Sequence, residues 1–138
     1  IVPAAGKPTF ELGSDEMEFG VGIHGEPGRR RDKIKSAQEI TNELLNAILE
    51  DLKPENKDEI LLFVNGMGGT PISELYLIYD NARKMLDNKK IKIARSLVGN
   101  YCTSLEMQGA SITITKLDQE LVNHWDTAVH TAGMRWGM

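Results

Sequence analysis

A single cysteine, Cys102, rules out an intrachain disulfide framework, and without a Cys/His cluster there is no structural zinc site. Apolar runs are short as well. None approaches the ~20 residues that cross a bilayer, and Ile1 to Gly6 has neither the basic n-region nor the long apolar stretch of a signal peptide. Basic charge is also scarce: 16 Lys and Arg stand against 20 Asp and Glu, a net charge of -4, where a general nucleic-acid binder needs an excess of cations to neutralise phosphates. No HExxH or GxSxG motif occurs. These absences leave a soluble, cytoplasmic domain as the expectation, with neither membrane nor nucleic acid among its partners. The first residue is Ile1 rather than Met, and the Pro- and Gly-containing start without a helix has the look of a trimmed terminus or of a piece of a longer protein.

What is present is ordinary globular composition: 138 residues, 41% of them hydrophobic, enough for one self-supporting core. Met17 to Ile23 alternates Met17, Phe19, Val21 and Ile23 against Glu18, Gly20 and Gly22, the period of a half-buried strand. Ile60 to Val64 is a continuous apolar run that suits a strand covered on both faces. Ile91 to Gly99 and Ser111 to Leu117 complete the set of strands. Ser36 with Glu39 forms a capping-box signature ahead of Ile40, Leu44, Ala47 and Ile48, and Pro54 stops that helix near Leu52. Thr70 as N-cap and Pro71 at the first helical position open a second helix with the apolar stripe Leu75, Ile78, Tyr79 and Ala82. A shorter helix follows Asp118, and residues 129–138 show no period. Strand and helix alternate, so the expected fold is one α/β domain over residues 1–138. Its layered βαβαβ core carries a mixed, mainly parallel sheet, with the last strand antiparallel.

Three features bear on chemistry. In Gly20-Val-Gly-Ile-His-Gly-Glu-Pro-Gly28, continued alternation would put His24 on the face that Gly20 and Gly22 leave without side chains. It would stand at the carboxyl end of a parallel strand, where open α/β sheets place ligands. Imidazole there can serve as base, nucleophile or metal ligand, or simply sit in a surface turn. Asn65-Gly-Met-Gly-Gly-Thr70 reads either as an anion-cradling glycine loop or as plain turn geometry; it is neither a Walker A loop nor GxGxxG. Arg29, Arg30 and Arg31 with Lys33 and Lys35 read as a phosphate-attracting patch, as a solvated loop or as a face for an acidic partner. Cys102 reads as a small buried hydrophobe, and His124 and His130 as structural residues.

Val2 to Pro8, Glu16 to Gly28, Asn65 to Tyr76 and Tyr101 to Gly109, with Val129-His-Thr131 and Trp136-Gly137, closely resemble the dihydroxyacetone-binding subunit of dihydroxyacetone kinases. The resemblance runs over the whole chain and matches the C-terminal half of that subunit. It implies a phosphotransferase function in which His24 binds dihydroxyacetone (glycerone) covalently, as a hemiaminal, for phosphorylation to dihydroxyacetone phosphate. The aspartate that assists transfer belongs to the N-terminal half of the same subunit. No cofactor or metal is then expected on this chain: ADP or ATP with Mg belongs to a separate nucleotide-binding kinase subunit. The phosphoenolpyruvate phosphotransferase system is the expected phosphate source, glycerol metabolism the setting and a homodimer the expected assembly. The alternative that the resemblance allows is a non-catalytic dihydroxyacetone-binding paralogue acting as co-activator of a transcription regulator.

Overall fold

The computed structural model describes residues 6–8, 10–22 and 26–137. The chain divides into two compact units, Ile1–Ser36 and Ala37–Met138.

In the first unit β1 (Glu16–Phe19) and β2 (Arg30–Lys33) form an antiparallel pair, with Glu16 opposite Lys33 and Phe19 opposite Arg30. The strand expected over Met17–Ile23 is therefore shorter, and it is not a parallel neighbour in the main sheet. Gly20 ends it with φ +75°, a left-handed conformation suited to glycine, and the Arg29 amide donates to the Phe19 carbonyl at 2.6 Å. Ile23 lies outside the described residues. Alternation could not reveal β2, because Arg-Arg-Asp-Lys has no apolar face; opposite charges across the two strands do the pairing.

The second unit holds α1 (Ala37–Leu52), β3 (Glu59–Gly68), α2 (Ile72–Asn88), β4 (Lys92–Gly99), β5 (Gln108–Leu117), α3 (Gln119–Trp125), β6 (Val129–His130) and β7 (Arg135–Trp136). Its sheet has the order β4-β3-β5, with β4 parallel and β5 antiparallel to the central strand. The mixed α/β sheet and the antiparallel return of the last strand are as expected from the sequence. The two-residue strands β6 and β7 pair with each other in the aperiodic tail, and the Trp125 and Trp136 rings meet edge to face at 5.9 Å.

Ile60, Leu62 and Val64 of β3 are fully buried with Leu45 of α1 and Leu75, Ala82 and Leu86 of α2, joined by Ile91 and by Ile114 of β5. Leu61 and Phe63 alternate with them and are only half-buried, so the helices cover one face of the strand rather than both. Phe63 instead takes the Tyr101 ring edge-on at 5.9 Å. Thr41, buried within α1, satisfies its hydroxyl by donating to Ala37 O at 2.6 Å.

α2 ends without glycine. Lys90 adopts φ +59°; its amide donates to Asp87 O, and the Ile91 amide donates back to Leu86 O. This is a Schellman turn whose apolar contact, Ile91 with Leu86, is part of the core. α3 starts as the sequence suggests, with the Asp118 carboxylate accepting from the Leu121 amide at 2.8 Å. No helix among the described residues is long and apolar enough to cross a membrane.

Candidate functional site

His24 and its neighbours Ile23 and Gly25 lie outside the described residues; the flanks of the motif do not. The Gly22 amide donates to Glu26 O at 3.1 Å, so the two sides of the histidine segment are tied together. A Cβ at Gly28 would stand 2.8 Å from Phe19 O and 2.4 Å from Glu18 Cγ, so only glycine permits this approach of the return leg to β1. The space expected beside Gly20 and Gly22 is filled: a Cβ there would meet Arg29 Cγ at 3.0 Å and Glu26 Oε2 at 2.0 Å. β1 ends at Phe19 and pairs antiparallel with β2, so the strand parity and parallel strand end from which the side of His24 was inferred do not reach position 24.

Four of the five cations of the basic run, Arg30, Arg31, Lys33 and Lys35, pair with carboxylates of their own unit. Arg31 reaches Glu18 at 3.2 Å and Glu16 at 3.8 Å, Lys33 reaches Asp15 at 2.5 Å, and Lys35 and Arg30 reach Asp32 at 2.7 and 3.7 Å. Arg30 also lies over the Phe19 ring, 4.6 Å from its centroid. The hydrogen bond from Lys35, with that from the Lys33 amide, holds the Asp32 carboxyl below the usual carboxylate range. For these four cations the phosphate-attracting reading gives way to charge pairing within the unit, across the strands for Arg31 and Lys33 and along the β2 segment for Arg30 and Lys35.

In the second unit, the carboxyl ends of the parallel strands β3 and β4 carry the glycine segment and the loop 100–107. Three features lock these together. Asn65, only 2% exposed, accepts at Oδ1 from the Tyr101 and Cys102 amides at 3.0 and 2.8 Å and donates through Nδ2 to Cys102 O at 2.8 Å. Thr70 is not the helix cap: its hydroxyl donates to Gly109 O and accepts from Gly109 N, both at 2.7 Å, while α2 starts without a side-chain cap. The glycines admit the loop's backbone, since a Cβ at Gly68 would stand 2.1 Å from Ser104 O and 2.7 Å from Leu105 O, and one at Gly69 would stand 2.9 Å from Glu106 O.

An anion cradle needs free amides. Here the Gly69 amide donates to Met107 O and the Thr70 amide to Met67 O, and carbonyl oxygens line the glycines' open sides. Their sign is wrong for phosphate. Asn65, Gly66, Met67 and Gly68 belong to β3 itself, paired with Gln108 to Ser111 of β5, so the segment is a strand end that glycine keeps slim.

Cys102 is exposed rather than buried. His124 is exposed, its Nε2 3.7 Å from Glu120, and His130 is exposed on β6. No cluster of three or more His, Cys, Asp or Glu among the described residues is arranged to hold a metal ion. No sequence motif marks Asn65 and Thr70 as a pair. The available signal was polar side chains at the end of an apolar strand, which must be hydrogen-bonded if buried.

A mixed α/β sheet with a loop pinned at the carboxyl ends of its parallel strands, in a chain that also carries the glycine-rich Gly20 to Gly28 motif, defines a class of α/β domain rather than one protein. Within that class the chain belongs to the Dak1 domain family, whose model matches residues 1–133. It is 39% identical to the dihydroxyacetone-binding subunit DhaK of the PEP-dependent dihydroxyacetone kinase of Escherichia coli (strain K12), over 99% of this chain and 45% of that protein. It is 44% identical to the corresponding subunit of the PTS-dependent dihydroxyacetone kinase 1 of Listeria innocua, over 86% of this chain and 36% of that protein. Among solved structures, the dihydroxyacetone kinase operon co-activator Dha-DhaQ superposes with TM-score 0.81 at 33% identity, covering 88% of this chain and 38% of that one. The chain spans less than half the length of these relatives.

Proposed function

We propose that this chain is the substrate-tethering part of a dihydroxyacetone kinase, of the type that draws phosphate from the phosphoenolpyruvate phosphotransferase system. The observation that carries this reading is identity of 39% or more over nearly all of the chain to subunits named for binding dihydroxyacetone. The intact Gly20 to Gly28 segment supports His24 as the point of attachment. A ring nitrogen of neutral His24 adds to the ketone carbon; the carbonyl π bond breaks, its oxygen takes up a proton, and the other ring nitrogen releases one. The hemiaminal selects ketones and aldehydes over glycerol, which has no carbonyl. It also fixes the terminal hydroxyl for phosphoryl transfer, where positioning supplies much of the catalysis.

The remaining machinery is assigned to other polypeptide: the acid/base aspartate to the N-terminal half of the same subunit, and ADP or ATP with Mg to a separate nucleotide-binding subunit. A homodimer is the proposed assembly. Residues 1–138 alone are then inactive. The test is dihydroxyacetone binding and phosphorylation by the whole subunit with its nucleotide-binding partner. His24→Ala is expected to abolish both, and unchanged affinity in that variant would contradict the reading. The likeness to the co-activator Dha-DhaQ favours one second reading, a dihydroxyacetone-sensing paralogue that binds the ligand and transfers nothing. Binding without phosphorylation by the whole wild-type subunit would select it.

A further inference from the structure

We infer that the outer edge of β4 is completed, in the whole subunit, by an extended strand from the polypeptide that lies outside these 138 residues. This rests on the proposed reading of the chain as part of a longer subunit. β4 runs from Lys92 to Gly99 and pairs with β3 on one side; no strand among the described residues pairs with the other. A long edge of this kind offers a row of backbone donors and acceptors, and natural proteins cover such edges or blunt them. The blunting here is confined to one end. Ala94 is the extra residue of a bulge, skipped between the pairs Ile60–Ile93 and Leu61–Arg95, and its carbonyl is already taken by Arg95 Nη1 at 2.7 Å. From Ser96 to Gly99 the ladder with β3 is regular and the edge carries no charge.

The charges nearby are consumed within the fold. Arg95 is bound by Asp126 through two bonds, at 2.7 and 2.5 Å, and Lys92 pairs with Glu59. Neither repels an incoming backbone. Alongside lies a cleft of about 280 Å³ lined by Ile93 to Ser96 of β4, Arg95 included, with Tyr79, Trp125 and Trp136, whose rings offer surface to seat side chains of an added strand. The relatives are more than twice this chain's length, so the polypeptide to supply the strand exists in proteins of this family. A second copy fits less well. In a two-fold pairing centred on β4, the Ala94 bulges of both copies would interrupt the new ladder.

The test is amide hydrogen exchange, read residue by residue across Ile93 to Gly99, in the 138-residue chain and in the whole subunit. In the short chain, the outward amides of Ser96 to Gly99 should exchange much faster than those bonded to β3. In the whole subunit they should slow by at least about 100-fold. Equal exchange in the two proteins overturns the assignment, as does protection already present in the short chain. Protection of the short chain that grows with its concentration assigns the edge to a second copy and overturns it too. Dihydroxyacetone binding is measured separately on the same subunit. Binding with an unprotected edge removes only this assignment, and a protected edge without binding removes only the ligand reading.

Discussion

Replacing Asn65 by Ala tests how the loop 100–107 is held. The amide side chain is buried and makes three bonds of 3.0 Å or less, two accepted from the Tyr101 and Cys102 amides and one donated to Cys102 O. A net contribution near 1 kcal/mol for each bond, with some of the freed backbone groups re-solvated, puts the loss at about 2–4 kcal/mol. That is a large share of the ~5–15 kcal/mol by which domains are stable. Ser111→Ala is the internal control: its hydroxyl is 3.5 Å from Asn65 Nδ2, at the limit of a hydrogen bond, and its removal should cost less than about 0.5 kcal/mol. The assay is urea unfolding followed by tryptophan fluorescence, with hydrogen exchange at residues 101–107. The midpoint should fall for Asn65→Ala at unchanged slope, and exchange in the loop should rise ahead of that in β3. Equal, small losses in the two variants would show that the loop is not held by Asn65.

Gly68→Ala should cost about 1–3 kcal/mol, because the new methyl must displace the Ser104 and Leu105 carbonyls rather than because of φ, which is not positive there; a neutral effect in the same urea assay would refute this. Thr70→Val, nearly isosteric, removes both bonds to Gly109 and should cost about 1–2 kcal/mol, again read from the urea midpoint. Lys90→Gly should raise stability by roughly 0.5–1 kcal/mol by relieving a left-handed lysine in the Schellman turn, and a lower melting temperature would contradict that. Asp32, Asp58, Asp80 and Asp126 are held below the usual carboxylate range, chiefly by hydrogen bonds from Lys35, Lys116, Lys84 and Arg95. With folded values below unfolded ones, their contribution is present above the ordinary carboxylate pKa and lost as pH falls through the folded values. Thermal melts should therefore hold steady down to about pH 5 and fall below about pH 4, less steeply in high salt. A melting temperature that rises in that acid range would be inconsistent with these pairs.

Elements whose signals are local were legible in the sequence. The apolar stripe from Ile40 to Ile48 fixed α1, Asp118 fixed the start of α3, and the apolar run from Ile60 to Val64 marked the central strand. What failed depended on partners distant in sequence. The hydrogen bonds of β5 draw Gly66, Met67 and Gly68 into β3, although a glycine-rich stretch before a proline reads locally as a loop. Thr70 has the sequence of a helix cap, yet the two backbone groups of Gly109 claim its hydroxyl. β2 is held by charge pairing, which hydrophobic periodicity does not register. At the candidate site the motif around His24 was legible as a unit. Its strand geometry was not, because the left-handed Gly20 breaks the alternation from which the side of the chain was inferred.

The central claim is that His24 forms a bond to dihydroxyacetone, and carbon-13 NMR of the whole subunit with dihydroxyacetone labelled at its carbonyl carbon tests it most directly. The bound carbon should leave the carbonyl region and appear as a saturated carbon bearing oxygen and nitrogen, and this signal should be absent from His24→Ala. A bound ligand that keeps its carbonyl resonance in the wild-type subunit, or a saturated-carbon signal that survives His24→Ala, would contradict the account.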